Sequence, residues 1–203
     1  MLLWINGAFG AGKTQTAFEL QRRLRHAHVA DPELIGYGIH RMLPESERRD
    51  FQDRPQWRSA VVATLTDAVH AHDGPVLVPM TLVDPDYFDE IMSGLRNNDV
   101  AVQHFSLIAS PATLRGRLQS RAAYWLGRAV GRNESWAMDQ IERCVTALAA
   151  ERFATHVDTD GRNIDEVVEF IAGQAQLELV APRLSPLRYQ MRRMAVGARH
   201  IHF

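Results

Sequence analysis

Gly7-Ala8-Phe9-Gly10-Ala11-Gly12-Lys13-Thr14 places an ammonium and a hydroxyl directly behind spaced glycines, in the pattern G-x-x-x-x-G-K-[ST]. Glycines let backbone N–H groups close around anionic oxygens, the lysine meets the β and γ oxygens of a triphosphate, and the hydroxyl holds Mg²⁺. Every other basic residue of the chain is arginine, so Lys13 is its single lysine. A planar guanidinium cannot replace a compact point charge on a flexible stem, which accounts for the one lysine kept. Gly7, Ala8, Phe9, Gly10, Ala11, Gly12, Lys13, Thr14 and the following Gln15 are therefore read as the ATP-binding segment, with Lys13 catalytic and Thr14 the Mg²⁺ ligand.

Two Asp-Pro pairs follow candidate strands: Asp31-Pro32-Glu33 and Asp84-Pro85-Asp86. Asp as a helix cap followed by Pro explains both turns without chemistry. Asp31 carries a second reading, since a carboxylate beside the phosphate loop can take a proton from an acceptor hydroxyl or hold a metal-bound water. Asp84 is read as a cap. The third strand ends Val78-Pro79-Met80-Thr81, with no acid in the Walker B place. Mg²⁺ is then left to Thr14, phosphates and waters. Thr81 is read either as a strand-end hydroxyl or as a substrate contact.

Further along, Arg117 and Arg121 stand one helical turn apart, where one guanidinium can stack on a base while the other reaches phosphate oxygens. Residues 122–136 add Arg128 and Arg132 with Gly127 and Gly131 as hinges, in the manner of a lid that closes over ATP.

The elements that must position these groups alternate. Apolar runs predict strands at 2–6, 27–30, 75–79, 101–108 and 154–158. Helical spacing, as in Trp57, Val61, Leu65 and Val69, predicts helices near 13–25, 33–43, 55–72, 86–96, 111–122, 135–149 and 164–175. Such alternation implies an α/β fold: a five-stranded parallel sheet flanked by helices in three layers, with ligands at the carboxyl ends of the strands. The expected organisation is one α/β domain over 1–180, with its lid at about 122–136, and a basic tail at 181–203.

Composition excludes several classes. One cysteine, Cys144, cannot form an internal disulfide, no apolar run reaches membrane-spanning length, and the start of the chain lacks the basic region of a signal peptide. A cytoplasmic protein is expected. The net charge of −1 hides a tail, 183–203, with five arginines and no acid. No broad basic field exists elsewhere, so nucleic acid is not expected as a partner. His70/His72 and His200/His202 lack partner ligands for a transition metal. In the tail, Ser185 and Pro186 open a helix that Gly197 is expected to end. Leu184, Leu187, Met191 and Met194 form one stripe beside Arg188, Arg192 and Arg193. This stripe has three candidate partners: the domain itself, a second subunit in a homodimer, or the surface of a membrane.

The phosphate loop, Asp31-Pro32-Glu33, Val78-Pro79-Met80-Thr81 and Leu114-x-x-Arg117-x-x-x-Arg121, in that order, resemble the nucleotide-kinase-like P-loop proteins, and within them the tunicamycin-resistance ATP-binding protein family. The resemblance covers about residues 1 to 175. It implies ATP binding and protection against tunicamycin, a lipid-tailed nucleoside, by phosphorylating the drug or by sequestering it; a kinase of another small metabolite is a third reading. It further implies that 1–180 is a kinase-like domain with an acceptor-side segment at about 33–72, Asp31 as base, Arg117 and Arg121 as nucleotide contacts with Arg121 also catalytic, Asp160 and Gly161 beside the adenine, and Tyr37, Arg41 and Trp57 facing the acceptor.

Overall fold

The computed structural model describes the backbone of residues 1–125 and 136–199, and the side chains of 1–120 and 136–196. Five parallel strands, β1 (Leu2–Gly7), β2 (His28–Val29), β3 (Val76–Pro79), β4 (Val102–Ile108) and β5 (His156–Asp158), form one sheet in the order β2-β3-β1-β4-β5. Around it lie α1 (Lys13–Arg23), α2 (Glu33–Met42), α3 (Pro55–His70), α4 (Pro85–Asn97), α5 (Pro111–Trp125), α6 (Ile141–Leu148), α7 (Ile164–Gln174) and α8 (Pro186–Arg199). The expected strands and helices are present with ends moved by a few residues.

β1 is central, and all six of its residues are buried, as a run covered on both faces must be. Leu2, Trp4 and Asn6 alternate with Leu3, Ile5 and Gly7, so consecutive side chains feed the two halves of the core. Trp57, Val61 and Leu65 of α3 and Ile91, Met92 and Leu95 of α4 are buried in it, as are Val167, Val168 and Ile171 of α7.

The sheet order places one element differently from the sequence reading. β3, not β2, lies against β1, so Asp31 projects from a strand one position further out than expected. Neighbouring strands are spaced about 4.8 Å apart, which sets Asp31 roughly 10 Å across the sheet from the phosphate-loop strand. Strand order depends on long-range packing that no local pattern records.

α8 also differs. It runs on to Arg199 rather than ending at Gly197, with Tyr189 N–H bonded to Ser185 O at 2.9 Å in its first turn. A glycine inside a helix lowers its stability without terminating it. α8 docks on α1: Arg192 donates to Phe18 O at 2.9 Å, and its guanidinium lies 3.6 Å from the buried carboxylate of Glu19. The chain leading to it is tied to the end of α1 as well. Val180 N–H bonds Arg23 O at 2.7 Å, and the buried Arg23 side chain reaches Ala181 O, Asp165 and Glu169 at 3.0–3.1 Å. Among the described residues no helix is long and apolar enough to cross a membrane.

Candidate active site

The phosphate loop is shaped by its glycines. Gly10 (φ 83) and Gly12 (φ 100) hold backbone conformations that side chains disfavour, and a Cβ on Gly12 would lie 3.1 Å from Ile164 at the start of α7. Gly12 is the N-cap of α1, makes no side-chain cap bond, and is followed by a first turn without acid. The amides of that turn and the positive end of the helix dipole thus face an open loop, the arrangement that receives a phosphate. Lys13 Nζ lies over the loop, donating to Gly7 O and Ala8 O, each at 3.0 Å, and 5.5 Å from the centre of the Phe9 ring. Thr14 and Gln15 stand half-buried in the same turn. Gln15 Nε2 donates to Arg193 O of α8 at 3.4 Å.

Asn6, fully buried, fixes the root of the loop. Its Oδ1 accepts from Gly7 N–H at 2.8 Å and Leu82 N–H at 3.0 Å, while Nδ2 donates to Leu82 O at 2.7 Å. One side chain therefore pairs with both backbone polar groups of Leu82, beyond β3, and the first amide of the loop. Its neighbour His104 is held neutral, its pKa lowered to about 4 by burial. His104 Nδ1 donates to Ala154 O at 3.1 Å, leaving Nε2 to accept from Asn6 at 3.3 Å. The sequence reading missed Asn6, although a polar residue ending a five-residue apolar run was a visible signal.

Thr81, also buried, donates its hydroxyl to Gly7 O at 2.9 Å. Asp84 caps α4 through Asp86 N–H and Tyr87 N–H. Asp31 makes the corresponding bond to Glu33 N–H at 2.9 Å. That bond uses part of what a carboxylate can accept, so the cap and base readings remain compatible.

On the other side of the loop, Arg117 bonds Thr159 O at 2.6 Å and Thr159 Oγ1 at 3.1 Å, with Ala11 O at 3.5 Å. It joins α5, the phosphate loop and the turn after β5. In that turn Asp160 accepts from Ser110 N–H, and Gly161 (φ 71) takes a left-handed conformation. Arg121 belongs to α5, but its side chain lies outside the described residues, as do Arg128, Arg132 and the glycines of the lid.

The segment expected from the resemblance to face the acceptor is knit around Phe51. Its ring packs against Trp57, His40 and Tyr37, with centroids 5.3, 5.5 and 6.2 Å away. It also lies so close to Gly36 that an added Cβ would be 2.5 Å from it. Trp57, proposed from sequence to face the acceptor, has no exposed surface; its Nε1 donates to Pro32 O at 3.1 Å. Tyr37 bonds Glu33 at 3.2 Å, and burial followed by the Glu33 charge pushes its hydroxyl pKa far up, so it remains a donor. Arg41 is exposed at the end of α2. Three further arginines bond the segment's backbone: Arg48 bonds Leu43 O, Arg54 bonds Glu47 O, and Arg58 bonds Gln52 O and also the Glu90 carboxylate of α4.

A parallel 2-3-1-4-5 sheet, an uncapped helix behind a glycine loop and an arginine helix after β4 define a nucleotide-kinase-like P-loop protein. Residues 2–144 match the family model described as an AAA domain. Among solved structures, the tunicamycin resistance protein of Deinococcus radiodurans is similar at 31% identity and a TM-score of 0.73, over 89% of this chain and 99% of that one. A gluconokinase from Sinorhizobium meliloti (17% identity, TM-score 0.56, 86% and 91% covered) and the shikimate kinase of Bacteroides thetaiotaomicron (19%, 0.55, 87% and 99%) share the fold. No curated protein sequence matches the chain. The chain belongs to the AAA-domain family and, within it, to the tunicamycin-resistance ATP-binding proteins.

Proposed function

We propose that this protein binds ATP with Mg²⁺ and transfers the γ-phosphoryl group to a hydroxyl of a tunicamycin-like nucleoside, conferring resistance from the cytoplasm. The observation that carries this reading is the uncapped, acid-free start of α1 behind Gly12, with Lys13 poised over the loop. The loop amides and Lys13 would hold the phosphates, and the Thr14 hydroxyl would hold the metal, which supplies charge neutralisation on the phosphate oxygens. Asp31 would orient the acceptor hydroxyl and take its proton as that oxygen bonds phosphorus, while the bond to the β–γ bridging oxygen breaks and ADP leaves. A separation of roughly 10 Å between the Asp31 strand and the loop strand leaves room for an acceptor between them. Arg121 would complete the clamp on the phosphates, and Arg117, Asp160 and Gly161 would bound the nucleotide. The test is the mass of tunicamycin after incubation with the protein, ATP and Mg²⁺. A gain of one phosphoryl group, absent with Lys13→Ala, is expected; an unchanged drug sinks the kinase reading.

A second reading, nucleotide-dependent sequestration at a membrane surface, is favoured by α8. Val196 is buried on its inner face, whereas Leu187 (73% exposed) and Met191 (56%) stand on the outer face near the exposed Arg188. Such a surface suits anionic lipid. Sedimentation with anionic vesicles, lost in Leu187→Glu/Met191→Glu, supports it; an apolar stripe covered by a second copy would instead show as a dimer in solution.

A further inference from the structure

Gly7 O is the meeting point of two donors, Lys13 Nζ at 3.0 Å and Thr81 Oγ1 at 2.9 Å. A carbonyl oxygen has two lone pairs, so this acceptor is filled. When Lys13 leaves Gly7 O for a phosphate oxygen, the Thr81 hydroxyl is the donor that stays. Thr81 is held from the opposite direction. Its own carbonyl accepts from Gln52 Nε2 at 2.9 Å, and the Gln52 carbonyl accepts from Arg58 Nη1 at 2.7 Å, whose Nε bonds Glu90 at 2.5 Å. The chain of bonds Glu90, Arg58, Gln52, Thr81, Gly7, Lys13 thus crosses from the acceptor-side segment to the phosphate loop. Arg58 is 8% exposed and Thr81 5%, so solvent competes little for the two side chains at the centre of the chain of bonds.

We infer that Thr81 is a positioning residue that ties the seating of the acceptor-side segment to the phosphate loop, with Gln52 as its contact on that segment. Thr81 holds the Gly7 peptide while Lys13 exchanges its carbonyl partners for phosphate oxygens, and Gln52 holds Thr81. The seating of residues 51–53 is in this way part of the affinity for nucleotide, although Gln52 itself bonds the strand-end peptide and not the loop. The inference rests on ATP binding and not on the identity of the acceptor.

The test is the dissociation constant of Mg²⁺-ATP, measured by calorimetry on the full chain, for Thr81→Val, Thr81→Ser, Gln52→Leu and the Thr81→Val/Gln52→Leu double variant. The net worth of single hydrogen bonds predicts about tenfold weaker binding for Thr81→Val, with recovery in Thr81→Ser, and about threefold weaker binding for Gln52→Leu. The double variant should bind no more weakly than Thr81→Val, because Gln52 acts through Thr81. Unchanged affinity in Gln52→Leu, or effects that multiply in the double variant, would overturn the inference. Should Thr81→Val not fold, Gln52→Leu decides alone. A wild-type chain that binds no ATP would strike the proposed function and this inference together; ATP binding without phosphorylation of tunicamycin strikes the function only.

Discussion

The two sides of the sheet's carboxyl edge are built by different means. On the nucleotide side the shape lies in the main chain: left-handed glycines, an uncapped helix start, and one buried amide, Asn6, that pairs with peptides. On the side proposed for the acceptor it lies in side chains. Phe51 fills the space above Gly36, and arginines cap the carbonyls of an irregular segment. A site made of backbone binds what every triphosphate shares, whereas a site made of side chains can change its ligand by substitution. A gluconokinase and a shikimate kinase share this fold, and a shared fold leaves the acceptor to the side chains.

Substitutions can break that contrast or sharpen it. The largest effect is expected from Lys13→Ala, which should abolish detectable ATP binding and leave drug binding, read separately, in place. Asp31→Asn should do the reverse, lowering turnover by about 10²–10⁴-fold with ATP affinity intact, as for loss of a general base. Loss of ATP affinity in that variant would erase the division between the sides. Gly36→Ala forces Phe51 out of its seat and should cost about 1–3 kcal/mol of stability, seen as a lower melting temperature. It should raise the acceptor KM more than the ATP KM.

The smallest effect is a slope. His104 has its pKa lowered to about 4 in the fold, so the unfolded chain binds its proton more readily. Its neutral form stabilises fully above about pH 6.5, and that stability is lost as pH falls from there towards 4. His104→Phe should flatten the melting temperature over that window; an unchanged slope would mean that other groups set the acid limb.

The same contrast decides what could be read in the sequence. The phosphate loop was legible because all its determinants lie within eight residues, and helices and strands were legible from periodicity. Asp31 was put beside the loop because strand order is not local; β3 intervenes, and Thr81 just beyond its end makes the contact. The acceptor reading of Trp57 rests only on resemblance to related kinases, whereas its helical spacing with Val61 and Leu65 already points inward; its indole fills the core and its N–H is spent on Pro32 O. Gln52 gave no signal, since its role exists only once residues 51–53 meet the end of β3.

One arrangement bears on how the protein can be handled. The helix that begins at the phosphate loop carries Gln15 and Glu19 against α8, while its last arginines grip the strand of chain that precedes it. α8 is therefore a structural neighbour of the phosphate loop through Arg192 and Arg193. Trimming it back to Pro186 for crystallisation would uncover the Glu19 carboxylate at the flank of the triphosphate site.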